Sequence, residues 1–197
     1  MLDKEMAHDA LVFIHVLAVV FMSAPLYNLI VVNERAAFGK APFAVDRYFE
    51  NIIKGASIRC YIYQLTALVT GVLILPTRGL NLTMLYENPV LLTKFLLLMA
   101  VTALLSVVHF RIQPAIESLL GRVTGDAIPE DIARELKTWR LLRKRLAAVC
   151  LFIVITIVLL GMQVFDRFNP IVTVGILVLA ALFSWRVFRS PVRFGWI

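Results

Sequence analysis

Apolar residues in this chain come in long blocks broken by short polar stretches, rather than in the alternation expected of a half-buried strand or the stripe of a soluble helix. The first block runs from about Ala10 to Val32, the second from Ile62 to Pro76, and the third from Val90 to Phe110. The fourth covers Leu146 to Phe165 and the fifth Ile171 to Phe188. A helix crosses roughly 30 Å of hydrocarbon in about 20 residues. The pattern therefore predicts an all-α integral membrane bundle of five transmembrane helices, at about 10–32, 58–77, 89–111, 145–166 and 170–188. The second block is the shortest and must recruit Cys60 and Tyr61 to span. Four spans plus a re-entrant segment is the alternative. Residues 1–197 read as one transmembrane domain, with neither an internal repeat nor a low-complexity linker.

Between the third and fourth blocks lies a different pattern. Pro129 suits a first helical turn, and Glu130 and Asp131 stand where the helix dipole favours acids. Ile132, Leu136 and Trp139 share one face, and Glu130 and Arg134 are four apart. This predicts an amphipathic helix over about 128–144 on the cytoplasmic side, lying at the headgroup level, with a partner-binding surface as the other reading.

Composition agrees with these blocks. The chain is 60% hydrophobic, too apolar to clothe a water-soluble core. The N-terminus, from Met1 to Asp9, is net acidic and precedes a full-length apolar block, which reads as a retained first helix and not a cleaved signal.

The net charge of +7 would suggest nucleic acid in a soluble protein; here its distribution says otherwise. If five helices alternate, the segments 33–59, 111–145 and the C-terminal tail share one side and hold 16 of the 20 Lys and Arg. Lys4, Arg78, Lys94 and Arg167 remain on the other. Positive loops stay cytoplasmic, so the N-terminus is expected outside and the C-terminus inside a bacterial-type inner membrane. The expected partners are the bilayer and other membrane subunits, and not nucleic acid. Glu34, Arg35, Arg59 and Arg111 could form a charge network on the cytoplasmic side, and Arg189, Arg193, Phe194 and Trp196 read as interface anchors.

Candidate chemistry is confined to polar residues within the apolar blocks, where each is costly. Met99, Thr102, Ser106, His109 and Gln113 follow helical spacing and must point into the bundle or at a ligand. His15, Met22, Ser23 and Tyr27 fall within about a third of the first helix's circumference, and Pro25 is expected to bend that helix. Tyr63, Thr66 and Thr70 repeat the spacing in the second, whereas the fourth and fifth spans read as scaffold. Imidazole and thioether are haem ligands, which makes His15, Met22 and His109 the candidate cofactor-binding residues. His15 lies about 9 Å below the outer end of its helix and His109 about 30 Å from the outer end of the third. One iron cannot take both at such different depths; His15 with Met22, or a five-coordinate haem b on His15, stays open. The alternative is that each histidine serves as interhelical glue.

Other chemistries lack their residues. Carboxylates occur only in loops and tails, which excludes a relay of buried acids. There is no phosphate loop, no His-Glu-x-x-His pair, and no Ser-His-Asp set at one depth. Cys60 and Cys150 read as small packing residues rather than a disulfide framework or zinc site.

The stretch from His15 to Leu29 sets an early histidine before aliphatics, the small residues Ser23 and Ala24, and the Leu26–Tyr27 pair. It resembles the first helix of small bacterial membrane proteins of the copper-resistance CopD type and is similar to that of the related HemJ family. The resemblance implies a helical bundle of four or more spans, with His15 linked to haem or metal. Three functions follow as expectations: membrane redox chemistry with one haem b on His15, a cofactor-free accessory subunit of a larger membrane complex, or metal or small-solute transport. No complete catalytic signature is present.

Overall fold

The computed structural model describes residues 2–34 and 42–189. It is all-helical, with 87% helix and no strands among the described residues. The helices are α1 (Leu2–Glu34), α2 (Phe43–Thr77), the single turn α3 (Met84–Glu87), α4 (Pro89–Val107), α5 (Gln113–Leu120), α6 (Glu130–Met162) and α7 (Pro170–Arg189). A π-helical turn over Val108–Ile112 joins α4 to α5. Taking α4 to α5 as one rod, five helices are long and apolar enough to cross a membrane.

Local chemistry fixes the ends. Asn88 accepts from the amides of Val90 and Leu91 at 2.9 and 3.4 Å and starts α4, with Pro89 at the first position. Asn169 accepts from Ile171 in the same way before Pro170. These are the side-chain cap and N-terminal proline of a helix start. Gly79, at φ +72°, ends α2; the Leu80 amide then reaches back to the Leu75 carbonyl at 3.0 Å, a Schellman closure that favours glycine at the left-handed position.

The π turn also has a cause. Pro114 offers no amide hydrogen, and its ring crowds the carbonyl four residues back. The ladder widens, and the Gln113 amide bonds the Val108 carbonyl instead. A single wide turn of this kind is the usual form of π structure.

Helices α1, α2, α4 and α6 enclose the centre, and α1 packs most closely against α2. Met22, Leu98, Val101, Cys150, Val154 and Ile157 form the central core. Helix α7 leans on α6, burying Val187 against Ile30, Ala147, Ala148 and Leu151. Outside this core the surface is strongly apolar: Phe13, Leu65, Phe110, Ile171 and Leu179 are all exposed.

Two expectations change here. The amphipathic helix is continuous with the fourth apolar block in α6, and its apolar face is covered by protein. Ile132 and Leu136 are buried against Ile112, Ile116, Leu119 and Leu120 of the π turn and α5. The polar stretch before the second block is largely helix as well, since α2 begins at Phe43. Arg35, Lys40, Arg193, Phe194 and Trp196, and the side chain of Glu34, lie outside the described residues.

Candidate functional site

Three histidines stand at three levels of α2, each held by a hydroxyl of that helix. His8 Nδ1 lies 2.8 Å from Thr77 Oγ1, His15 Nδ1 3.0 Å from Thr70 Oγ1, and His109 Nδ1 3.0 Å from Ser57 Oγ. Each hydroxyl donates its own hydrogen to a carbonyl of α2: Thr77 to Ile74, Thr70 to Thr66 and Ser57 to Lys54. With its hydrogen committed, the hydroxyl can only accept from the ring. A neutral ring in this geometry would carry its proton on Nδ1 and its lone pair on Nε2. His8 spends its lone pair on the Arg78 Nε–H at 3.3 Å. The His15 ring also meets the Ala67 backbone of α2.

His15 lines a cleft of about 330 Å³ between α1, α2, α4 and α6. That volume falls at the lower end of the range for small-molecule sites. The walls are aliphatic, with Phe95 and Phe165 among them, and Met22 lies at the inner end. Two cations also line it, Lys94 and Arg78, the latter stacked 4.2 Å over the Phe165 ring.

Two glycines make the polar groups fit. A Cβ at Gly71 would stand 3.1 Å from His15 Cε1, and one at Gly161 would stand 3.3 Å from Lys94 Nζ. Glycine inside a helix costs about 1 kcal/mol relative to alanine, and at these two positions it gives an imidazole and an ammonium room to lie against the neighbouring helix.

The structure brings His15 and Met22 to one cleft and sets His109 apart. The hydroxyls of Thr70 and Ser57 are 13 residues apart on α2, about 20 Å at 1.5 Å per residue. No single iron takes both histidines. Ser23 bonds the Val20 carbonyl of its own helix, and Tyr27 is 49% exposed, so neither shares the face of His15 and Met22. Of the expected stripe, Thr102, Ser106, His109 and Gln113 point inward, whereas Met99 is exposed. Thr102 donates to Gln64 at 2.9 Å, Ser106 and Tyr61 meet at 2.8 Å, and His109 meets Ser57.

Gln113 leads that stripe into a cluster that corrects the expected absence of buried acids. Asp46 and Glu50 of α2 are both fully buried. Arg140 grips Asp46 with two nitrogens, at 3.1 and 2.5 Å, and donates to Glu50 at 3.2 Å. Arg143 closes on Glu50 and donates to Gln113 at 2.8 Å. A helix-spaced Asp46–Glu50 pair facing Arg140–Arg143 was legible in principle, but only if α2 was known to extend back to Phe43. Lys94, by charge distribution an outer cation, is a lining residue of the cleft. Among the described residues, no three His, Cys, Asp or Glu side chains converge on a metal-sized site.

Compared with known protein families, with curated proteins and with solved structures, the chain finds no match.

Proposed function

We propose that this is a multi-pass protein of a bacterial-type inner membrane, N-terminus outside and C-terminus inside, that serves membrane redox chemistry by binding one haem b through His15. The observation that carries the reading is the His15–Thr70–Thr66 chain. An axial histidine needs its second nitrogen held by an acceptor, which fixes the tautomer and the ring plane and presents Nε2 as ligand. His15 has that arrangement at the wall of an apolar cleft.

The remaining residues suit the same group. Haem is a flat apolar molecule with two carboxylates; the aliphatic and aromatic walls fit its body, and Lys94 and Arg78 supply cations for the acids. Bound haem contributes one-electron chemistry, tuned by axial ligand, hydrogen bonding and burial. The chain itself orients the imidazole and keeps water from the macrocycle. Met22 would be the second residue to hold the haem beside His15, and otherwise His15 would hold it alone.

Membrane insertion is supported by the exposed apolar belt, whose side chains water would not favour. Orientation is supported by the charge distribution, which puts the Asp46–Arg140–Glu50–Arg143 cluster at the cytoplasmic end.

The test is a reduced-minus-oxidised visible spectrum of protein purified in mild detergent, beside His15→Ala. A b-type α-band that disappears in a folded mutant supports the proposal. A colourless, folded wild type from haem-replete cells overturns it and leaves His15 as interhelical glue in an accessory subunit.

A further inference from the structure

A second hollow lies between α1 and α2, distinct from the cleft in both place and chemistry. This groove, of about 140 Å³, is lined by Phe21, Pro25, Ile52 and Tyr63, with Asn28 and Arg59 as its strongly polar members. The Phe21 and Tyr63 rings, with centroids 5.6 Å apart, close one end. Among the described residues, no acid lines it. Arg59 is exposed and has no ion-pair or hydrogen-bond partner among the described residues.

Position and direction say what such a cation is for. Arg59 lies 18 residues before Thr77 on α2, about 27 Å along the axis. With Thr77 at one face of the bilayer, that places Arg59 at the opposite headgroup level, given a hydrocarbon core of about 30 Å. Its guanidinium also lies back over Gly55, with Nη2 4.0 Å from where a Cβ there would stand. It leans toward the Asp46–Arg140 end and away from the bilayer centre, the snorkelling expected of a basic side chain with an apolar stem.

We propose that this groove binds one anionic glycerophospholipid, its phosphate on Arg59 and the Asn28 amide and one acyl chain along Pro25 toward the Phe21–Tyr63 pair. A zwitterionic lipid fits less well, because among the described residues its ammonium finds no carboxylate in the groove and Arg59 has no counterion. In the orientation proposed above the groove opens to the cytoplasmic leaflet, where anionic lipids concentrate. The inference rests on the membrane reading and is independent of haem, so the two fail separately.

Native mass spectrometry of the full chain, released from mixed micelles containing phosphatidylglycerol and phosphatidylcholine in equal amounts, tests it. Wild type is expected to retain phosphatidylglycerol preferentially. Arg59→Gln should lower that preference by about five-fold, the contribution of one basic residue at an anionic surface, and Arg59→Lys should restore most of it. Arg111→Gln removes another exposed cation outside the groove and should change the preference by less than about two-fold. Equal retention of the two lipids by wild type overturns the proposal. So does an equal loss in the Arg59 and Arg111 variants, which would mark diffuse charge attraction and no site.

Discussion

Gly71 and Gly161 carry opposing demands. Alanine at either would favour its helix by up to about 1 kcal/mol, yet a methyl at Gly71 would press on His15 Cε1 at 3.1 Å. Gly71→Ala is therefore expected to leave the thermal midpoint unchanged or slightly raised while lowering haem occupancy, read as the ratio of Soret to protein absorbance. An equal loss of both would mean that Gly71 serves packing alone. The buried ions make a contrasting case. Glu50 is fully buried between Arg140 and Arg143, and removing one member of such a set strands the others without a counterion, at about 3–5 kcal/mol. Glu50→Met should lower the detergent melting temperature by ten degrees or so, at roughly 2–4 °C per kcal/mol for a chain of this size. The double change with Arg143→Met should recover part of the loss. No recovery would mean that the cluster contributes more than charge pairing.

The rod from α4 to α5 meets α2 through a ladder of polar side chains, in the order Thr102–Gln64, Ser106–Tyr61, His109–Ser57 and Gln113–Glu50. Residue number rises on one helix as it falls on the other, which is the antiparallel register of neighbouring spans. In a bilayer such bonds contribute about 0.6 kcal/mol each on average. Thr102→Val with Ser106→Ala is thus expected to cost about 1 kcal/mol, measured as a shift in the unfolding midpoint in denaturing detergent. A shift several times larger would point to loss of the whole α2–α4 register. The stripe itself was legible from spacing along α4. Its partners were not, because Gln64, Tyr61 and Ser57 are spread among apolar neighbours on α2, and only the approach of the two helices shows which of them meet.

Taken whole, the molecule keeps its buried ion cluster at one end and its apolar surface around the sides. Asp46, Glu50, Arg140 and Arg143 cluster beside α5, while His8, Thr77 and Arg78 join at the far end. The proposed orientation predicts opposite accessibility for the two ends. In a background with Cys60 and Cys150 replaced, Asn81→Cys should react with a membrane-impermeant maleimide on intact cells, and Gly125→Cys only after the membrane is opened. Both positions are exposed and lie between helices. The reverse pattern would invert the topology, and the same side for both would break the alternation of spans.

The sequence alone determined that the chain is all-helical and has five segments able to cross a bilayer, because about 20 successive apolar residues are recognisable without knowing their neighbours. It also determined that His15 and His109 cannot share an iron, since the rise per residue sets their depths. Tertiary structure decided the rest. It made Lys94 a cleft residue by placing it against Gly161, and it gave His15 a hydroxyl partner 55 residues away. It turned Asp46 and Glu50 from apparent loop acids into a buried pair, and it covered the apolar face of α6 with α5. The division has one physical reason. Spanning capacity is a property of a segment, whereas a site is a property of the side chains that several segments bring within hydrogen-bond distance.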